Sequence, residues 1–228
     1  MQELTPNLEF KTVTVQPTIH MAGLSGADFA LRRGDIMTVM LEEGRERTPL
    51  APLAQGLIQP DVGTVFFDGE DWAGMGMHRQ AEARGRTRRV FEHYGWISNL
   101  DVMENLCLAE CHGTKRSQDD VEQEVRALAR RFGIDDVPDT RPMRVNSLML
   151  RKLEWVRAFV GAPELIILER PCFGAPRADA GKLIEAICEA ALRGVAVLWM
   201  AEDVNGWVSP ESAEVRRFRM LGERLVAV

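Results

Sequence analysis

The sequence predicts an α/β fold built around a buried parallel sheet. Residues 165–168 and 195–200 are apolar runs without alternation, which is typical of parallel strands buried on both faces. Residues 145–160 and 180–192 carry apolar side chains at the spacing of amphipathic helices. Helices that alternate with buried strands indicate the α/β class, in which helices cover both faces of a sheet.

The apolar strand at residues 165–168 is followed by a carboxylate, Glu169. Nucleoside triphosphatases place an acid at the end of such a strand to bind magnesium. The helix at 145–160 and a tight turn at 161–163 lead directly into this strand. The succession therefore indicates a nucleotide-binding architecture, with Glu169 as the candidate metal ligand.

Composition excludes several classes of protein. The chain has 228 residues, 46% of them hydrophobic and 27% charged, which fits one large globular domain or a core with a subdomain. A net charge of -6 argues against non-specific nucleic-acid binding. No apolar run approaches the roughly 18 residues that span a bilayer. The start, MQELTPNLEF, lacks the pattern of a signal peptide.

Four cysteines are scattered through core-like segments and are interpreted as reduced cytosolic thiols: Cys107, Cys111, Cys172 and Cys188. Cys107 and Cys111, together with His112, also suggest a metal site. Because no second pair of ligands follows elsewhere, the spacing favours an ordinary helix face.

Both ends of the chain show the alternation of antiparallel strands. In residues 8–41, apolar and polar residues alternate around Val13 and Val15, and a short apolar strand follows at 36–41. Residues 216–228 alternate on both sides of a glycine turn, which predicts a terminal hairpin.

Capping residues mark the helices in the middle of the chain. Asp101 is a predicted N-cap, and Ser117 opens a capping box before a helix that ends near Phe132. Trp199 and Trp207 are predicted to serve packing rather than function.

Residues 70–89 are predicted to form a loop because Gly74, Gly76 and Gly85 break any periodicity. A basic cluster closes this segment: Arg84, Arg86, Arg88 and Arg89. Such clusters are usually solvated faces, and a phosphate or partner site is the alternative.

Arg157 and Ala158 lie in the helix before the apolar strand at 165–168, Ala162 and Pro163 lie in the loop, and Pro171 follows the strand. This frame resembles the signature segment of the ATP-binding cassette (ABC) ATPases. In that family the signature helix reads LSGGQ-x-x-R/K-x-x-x-A-R-A, followed by a short loop, an apolar strand and D-E-P. Three further segments resemble the family's first helix, its hairpin and the start of its helical subdomain: 51–60, 61–69 and 95–106.

The resemblance implies a P-loop nucleoside triphosphatase fold with a RecA-like parallel core, an antiparallel β-subdomain and an α-helical subdomain. One domain then spans residues 1–228. Its β-subdomain and core lie at about 1–92 and 156–228, and its helical subdomain at about 93–155. The form of the segment at 95–106 looks most like cassettes of the Mce/Mla lipid-transport type.

The family's phosphate loop, G-x-x-G-x-G-K-[ST], is altered in this sequence. Gly44 matches the middle glycine, Arg47 replaces the lysine, and Thr48 keeps the hydroxyl that binds magnesium in the family. Leu41 and Glu46 stand where the other two glycines are expected. A planar guanidinium is not equivalent to the point charge of lysine.

The same loop carries negative charge where a triphosphate must lie. Glu42, Glu43 and Glu46 supply up to three carboxylates. Each like-charge contact at about 4 Å costs roughly 1 kcal/mol in water, and more when it is buried.

The resemblance identifies altered residues at the catalytic positions as well. Glu169 takes the place of the aspartate that binds magnesium, and Glu92 replaces the glutamine that senses the γ-phosphate. Glu202 replaces the switch histidine, and Arg170 replaces the general-base glutamate. An arginine, with a pKa above roughly 12, cannot accept a proton from water.

The signature that contacts the partner subunit's ATP in the family is also changed. Asn146, Ser147 and Leu148 stand at its position, and Leu148 replaces a glycine. A side chain there keeps backbone N–H groups away from a phosphate. Leu148 and Met149 are predicted instead to contact the core or a partner.

The sequence therefore predicts an ABC-type nucleotide-binding subunit of a membrane transporter that is catalytically degenerate and has a structural or regulatory role. The expected partners are a membrane permease subunit, a second ABC ATPase subunit, or both, in a homodimer or heterodimer, and no nucleic acid. The predicted location is cytoplasmic, peripheral on the inner face of the membrane. The resemblance implies ATP with magnesium as cofactor, whereas the altered residues favour none.

Two alternatives stay open. One is a working ATPase subunit in which Arg47, Thr48 and Glu169 still hold Mg-ATP. The other is a soluble scaffold, unrelated to transport, that reuses the fold, since a fold does not determine a function.

Overall fold

A computed structural model describes residues 5–44, 47–93, 95–202 and 215–228. The strands of this part of the chain are β1 (Leu8–Val15), β2 (Leu24–Leu31), β3 (Ile36–Met40), β4 (Val62–Phe67), β5 (Glu70–Asp71), β6 (Thr87–Val90), β7 (Leu165–Glu169), β8 (Ala196–Ala201), β9 (Val215–Leu221) and β10 (Arg224–Ala227). The helices are α1 (Leu50–Ala54), α2 (Met77–Gly85), α3 (Val102–Gly113), α4 (Gln118–Arg131), α5 (Ser147–Phe159) and α6 (Arg177–Leu192). A 3-10 turn at Pro142–Arg144 precedes α5.

The strands form two sheets. The smaller sheet is antiparallel and has the order β2-β1-β4-β5. The larger sheet has the order β10-β9-β3-β8-β7-β6, in which β9, β3, β8, β7 and β6 pair in parallel. Strand β10 pairs antiparallel with β9, as the predicted terminal hairpin requires. The structure thus confirms the predicted α/β architecture with a parallel core and an antiparallel sheet.

Strand β7 lies between two hydrophobic clusters, and this position explains why its sequence is apolar without interruption. Ile166 and Leu168 enter a cluster with side chains of α3, α4, α5 and α6. Leu165 and Ile167 point the other way, into a cluster with α1 and the antiparallel sheet. All four side chains are fully buried, so neither face of the strand tolerates polar residues.

Asp101 and Ser117 cap the starts of α3 and α4, as the sequence predicts, but the reciprocal capping box forms at Asp101 and not at Ser117. The Asp101 side chain accepts a hydrogen bond from the Glu104 N–H at 2.8 Å, and the Glu104 side chain accepts one from the Asp101 N–H at 2.8 Å. Ser117 accepts from the Asp120 N–H at 3.2 Å. Gly133 follows α4 with a φ of +74°, a left-handed conformation that favours glycine.

The prediction of a loop at 70–89 is wrong. Strand β5, helix α2 and strand β6 occupy most of that segment. Helix α2 carries a single buried residue, Ala83, so its sequence has no apolar periodicity to detect. The Gln80 amide holds the helix by donating to the carbonyl oxygens of Trp72 and Met75 at 3.0 and 3.1 Å.

The basic cluster at 84–89 is not a solvated face, because each of its four arginines has a partner within the molecule. These partners are the carbonyl oxygens of Gln55 and Gly56 for Arg84, Asp68 and Glu164 for Arg86, Glu110 for Arg88, and Glu169 for Arg89. The positive charge of Arg86, Arg88 and Arg89 is therefore matched by carboxylates, and the phosphate-site alternative loses its basis.

Trp199 is buried, as predicted, whereas Trp207 lies outside the described residues.

Burial raises the pKa of the Cys107 thiol to about 12 and that of Cys172 to about 11. Within the described ranges, no group of three or more His, Cys, Asp or Glu side chains is placed to hold a metal ion. No helix of that part of the chain is long and apolar enough to cross a membrane.

Candidate functional site

A cleft of about 330 Å³ opens at the carboxyl ends of the parallel strands. Its lining residues are Gly44, Glu92, His93, Arg151, Arg170, Phe173 and Glu202. The carboxyl edge of a parallel sheet is where open α/β folds bind their ligands. The structure therefore brings Gly44, Glu92, Arg170 and Glu202, which are distant in sequence, to one place.

Arg170 is the central side chain of this cleft. It follows β7, its side chain is 11% exposed, and it forms an ion pair with Glu92 on one side. Its Nε lies 2.8 Å from a carboxylate oxygen of Glu202 on the other side. The cation thus lies between two of the carboxylates that the sequence placed in the site.

The backbone at Arg170 is unusual. Its φ is +44°, a left-handed conformation that non-glycine residues seldom adopt. The Arg170 N–H donates to the carbonyl oxygen of Met200 in β8 at 2.8 Å, which fixes this turn against the neighbouring strand. This conformation and bond hold the residue at the edge where its guanidinium meets both acids.

Glu169 is the last residue of β7 and is nearly buried. It accepts a hydrogen bond from Arg89 Nε at 2.7 Å, and the two side chains are 14% and 12% exposed for Arg89 and Glu169. Arg89 comes from the adjacent strand β6. The predicted metal ligand is therefore neutralised by an internal arginine.

Helix α5 secures the loop that carries Glu92. Arg151 donates to the carbonyl oxygen of Phe91 at 2.8 Å and to that of Glu92 at 3.0 Å. The same guanidinium pairs with the buried carboxylate of Glu154 at 2.8 Å. The backbone before His93 is thus positioned by α5, while the Glu92 side chain is positioned by Arg170.

The described residues at the phosphate-loop position, 41–44 and 47–48, supply few features of a phosphate cradle. Gly44 has the left-handed φ, +68°, that a tight loop needs. Thr48 is buried, and its hydroxyl accepts from the Leu50 N–H at 3.1 Å in a local turn before α1. Helix α1 spans just five residues, and Pro49 and Pro52 supply no N–H groups there. Glu46 lies outside the described residues.

Arg47 and the signature residues do not join the cleft. The Arg47 side chain is exposed and does not line the cleft, and its carbonyl oxygen accepts from the Ala22 N–H at 2.9 Å. Asn146 caps α5 by accepting from the Met149 N–H at 2.8 Å, a role that the sequence did not reveal. Ser147 and Leu148 are exposed beside it. Met149 packs against the core, as one of the two predicted alternatives has it, whereas Leu148 is 37% exposed and its contact with a partner stays a prediction.

Comparison with known proteins identifies the family to which this arrangement belongs. The model of the ABC transporter family matches residues 24–172, which is more than half of the chain. The chain belongs to the ABC transporter family.

Two curated relatives illustrate the range of this similarity. The phosphonates import ATP-binding protein PhnC 2 of Synechococcus sp. is 24% identical over 197 residues, which cover 82% of this ABC chain and 72% of that protein. The intermembrane phospholipid transport system ATP-binding protein MlaF of Escherichia coli is 26% identical over 173 residues, which cover 75% of this chain and 64% of that protein.

A solved structure agrees with the architecture. The dimeric structure of a bacterial ABC transporter cassette superposes with a TM-score of 0.81 at 15% identity, covering 96% of both chains. Another dimeric cassette structure, bound to ADP and Pi, superposes with a TM-score of 0.80 at the same identity. The P-loop fold that the sequence predicted is thereby confirmed.

Members of this family bind ATP with magnesium, and in this ABC chain the side chains at several of the corresponding positions contact one another. Arg170, which is largely buried, stands at the general-base position, and Arg89 pairs with the acid at the metal position. The Thr48 hydroxyl accepts from the Leu50 N–H, and Glu42 and Glu43 add negative charge to the exposed loop. Among the described residues, the carboxylates of Glu92, Glu169 and Glu202 thus each contact an arginine of the same chain.

Sequence reasoning missed Arg89 and Arg151 as site residues. Arg89 belonged to a basic run that was assigned to a solvated surface, and Arg151 lay inside a helix identified by its apolar spacing. A signal was present for both, because an arginine in a largely buried strand or helix needs a carboxylate or carbonyl partner. Their partners, Glu169 and the carbonyl oxygen of Phe91, are 80 and 60 residues away in sequence.

Proposed function

We propose that this chain is a nucleotide-binding-domain-like subunit of an ABC transporter that has lost ATP hydrolysis and acts as a structural or regulatory subunit. The observation that carries this proposal is Arg170, largely buried between Glu92 and Glu202 at the position of the catalytic base. A permanently charged guanidinium cannot take a proton from water.

The energetics of the ion pairs support the same function. A nucleotide with magnesium would have to separate Arg170 from its carboxylates and Glu169 from Arg89 to use the site in the family's way. The ligand's own charges would replace the separated partners only after these internal ion pairs had opened. The internal pairs therefore compete with Mg-ATP for the same side chains.

The partners that fit this role are a membrane permease subunit and a catalytically competent ABC subunit. The chain would lie peripherally on the cytoplasmic face of the membrane, bound to them. Leu148 at the signature position would silence one composite site of a heterodimer, because its side chain keeps backbone N–H groups from a phosphate. A lipid substrate is supported by the form of residues 95–106 and by the similarity to MlaF, whose name describes phospholipid transport.

Calorimetric titration of the purified chain with Mg-ATP tests the proposal directly, with Arg47→Ala as the matched variant. We expect no binding at millimolar nucleotide for either protein and no ATP hydrolysis above background. Arg170→Glu alone should not restore activity. Tight binding that depends on Arg47, or vigorous turnover that Thr48→Ala abolishes, would overturn the proposal and make the chain a nucleotide sensor or a working ATPase.

Association is tested separately by cross-linking the chain with a competent cassette and with the membrane subunits. A cross-linked heterodimer supports the regulatory role. A strict monomer at high concentration in every context would favour the soluble scaffold instead.

A further inference from the structure

We propose that Arg170 is the resident cation of this site: its guanidinium takes the place of a divalent metal ion and cross-links the carboxylates of Glu92 and Glu202. The inference rests on the proposed function, because a fixed cation is of use only where the chain works without Mg-nucleotide. It adds that Arg170 occupies the carboxylates that a metal ion would bind, and that replacing Arg170 makes them available to a metal ion.

Strand order gives Arg170 its bridging position. Strand β7, which it follows, lies between β6 and β8 in the sheet. Glu92 follows β6, and Glu202 follows β8. The cation at the end of the middle strand thus reaches an acid beyond each neighbouring strand, and the three strand ends are tied together without a ligand.

The charges around Arg170 show what its removal would leave. Glu92 and Glu202 each carry one carboxylate, and both contact the one guanidinium. Among the other charged groups of the cleft, Arg151 is already bound to Glu154 and to two carbonyl oxygens. His93 lies on the solvent side, with its Nε2 3.9 Å from Glu92. Removing Arg170 therefore leaves two acids with no shared counter-ion.

A divalent cation is the chemical species that suits such a pair. Magnesium keeps several of its waters and binds through one or two carboxylates. Two carboxylates and one divalent ion balance in charge, whereas the native guanidinium balances one carboxylate and hydrogen-bonds within the cluster. Glu169 does not compete for the ion, because Arg89 holds it separately at 2.7 Å.

The experiment measures the binding of Mn²⁺ alone, by the electron paramagnetic resonance signal of the free ion, without nucleotide. The proteins are the wild type, Arg170→Ala and Arg170→Ala/Glu202→Gln. We expect Arg170→Ala to bind Mn²⁺ at least about tenfold more tightly than the wild type, because its two carboxylates lose their internal counter-ion. The double variant should lose most of that gain.

Thermal unfolding gives a second measurement on the same proteins. Arg170→Ala should unfold at a lower temperature than the wild type, and millimolar Mg²⁺ at constant ionic strength should restore part of the loss. The unfolding temperature of the wild type should not change when Mg²⁺ is added. Arg79→Ala is the matched control, because this arginine also pairs with a glutamate but on the surface; it should gain no Mn²⁺ affinity.

Equal Mn²⁺ affinity in the wild type and Arg170→Ala, or an equal gain in the double variant, would overturn the inference. Should Arg170→Ala not fold, Arg170→Gln keeps most of the side chain and is measured in its place with the same criteria. A negative result in the Mn²⁺ experiment does not change the outcome of the Mg-ATP titration of the wild type. The two experiments therefore distinguish a failure of this inference from a failure of the proposed function.

Discussion

Arg88 and Glu110 form a buried ion pair that joins edge strand β6 to helix α3. The two side chains are 7% and 6% exposed. Arg116 contacts the other oxygen of Glu110 at 3.4 Å and pairs with Glu124 of α4 at 2.6 Å. Charged groups thus connect the parallel sheet to α3 and α4 beneath the surface, in a region where burial lowers the pKa of Arg88.

The first prediction concerns this buried pair. Arg88→Met should lower the free energy of unfolding by about 3–5 kcal/mol, because it leaves the Glu110 carboxylate buried without its main partner. Urea unfolding followed by circular dichroism measures the change. Arg79→Met removes an arginine from an exposed pair and should leave the stability close to that of the wild type. Equal stabilities of the two variants would contradict the assignment.

The second prediction concerns Gly161, which lies between α5 and β7. Its φ is +81°, and its N–H donates to Glu124 at 3.0 Å. A Cβ at this position would overlap the Glu110 carboxylate. Gly161→Ala should therefore destabilise the fold by at least about 1–2 kcal/mol, the cost of the left-handed conformation alone.

The matched control for Gly161 is Gly181, inside helix α6, where an added Cβ meets no atom within 4 Å. Gly181→Ala should stabilise the protein by about 0.5–1 kcal/mol, because alanine loses less conformational freedom in a helix. Thermal unfolding of the two variants compares them directly. A stabilising effect of Gly161→Ala would contradict the close approach of Glu110 and the hydrogen bond to Glu124 at this glycine.

The third prediction concerns pH. Burial raises the pKa of the Glu154 carboxyl above its ordinary value of 4.5, although Arg151 and Arg157 favour its ionised form. The folded state therefore binds the Glu154 proton more tightly than the unfolded chain does. This contribution to stability is complete below the unfolded-state pKa and is lost as the pH rises through the folded-state pKa.

Glu154→Gln removes that titration. We expect the unfolding free energy of the wild type, relative to that of Glu154→Gln, to decrease as the pH rises from 4.5 to 7. Urea unfolding of both proteins across this range, with native circular dichroism verified at each pH, measures the difference. A difference that stays constant or increases would mean that the ion pair with Arg151 dominates the titration.

Sequence patterns predicted those elements whose own residues record their burial. The apolar run at 165–168 identified β7 to within one residue, because both of its faces contact apolar clusters. Helix α2 was missed because it buries only Ala83 and is held by polar contacts, such as those of Gln80. Periodicity reports apolar burial, and it carries no information about a helix held by hydrogen bonds.

The sequence proposed the residues of the candidate site one by one and not as an arrangement. The resemblance placed Glu92, Arg170 and Glu202 at functional positions and identified the chemistry each one lacks. It could not reveal that they pair, because Glu92 and Arg170 are 78 residues apart and meet only when β6 and β7 lie side by side. Each altered residue by itself indicates a lost catalytic group, whereas together the three residues form an ion-pair cluster.

On the proposed function, the bridge at Arg170 also bears on how the chain could regain ATPase activity. Restoring an acid at position 170 alone would bring a third carboxylate against Glu92 and Glu202, so the first step back lowers stability before it gives any catalysis. Reversion at Glu92 or Glu202 first would leave the guanidinium partly uncompensated in a largely buried position. Each of these three single reversions therefore passes through a less stable protein, which on the proposed function makes the loss of ATP hydrolysis hard to reverse.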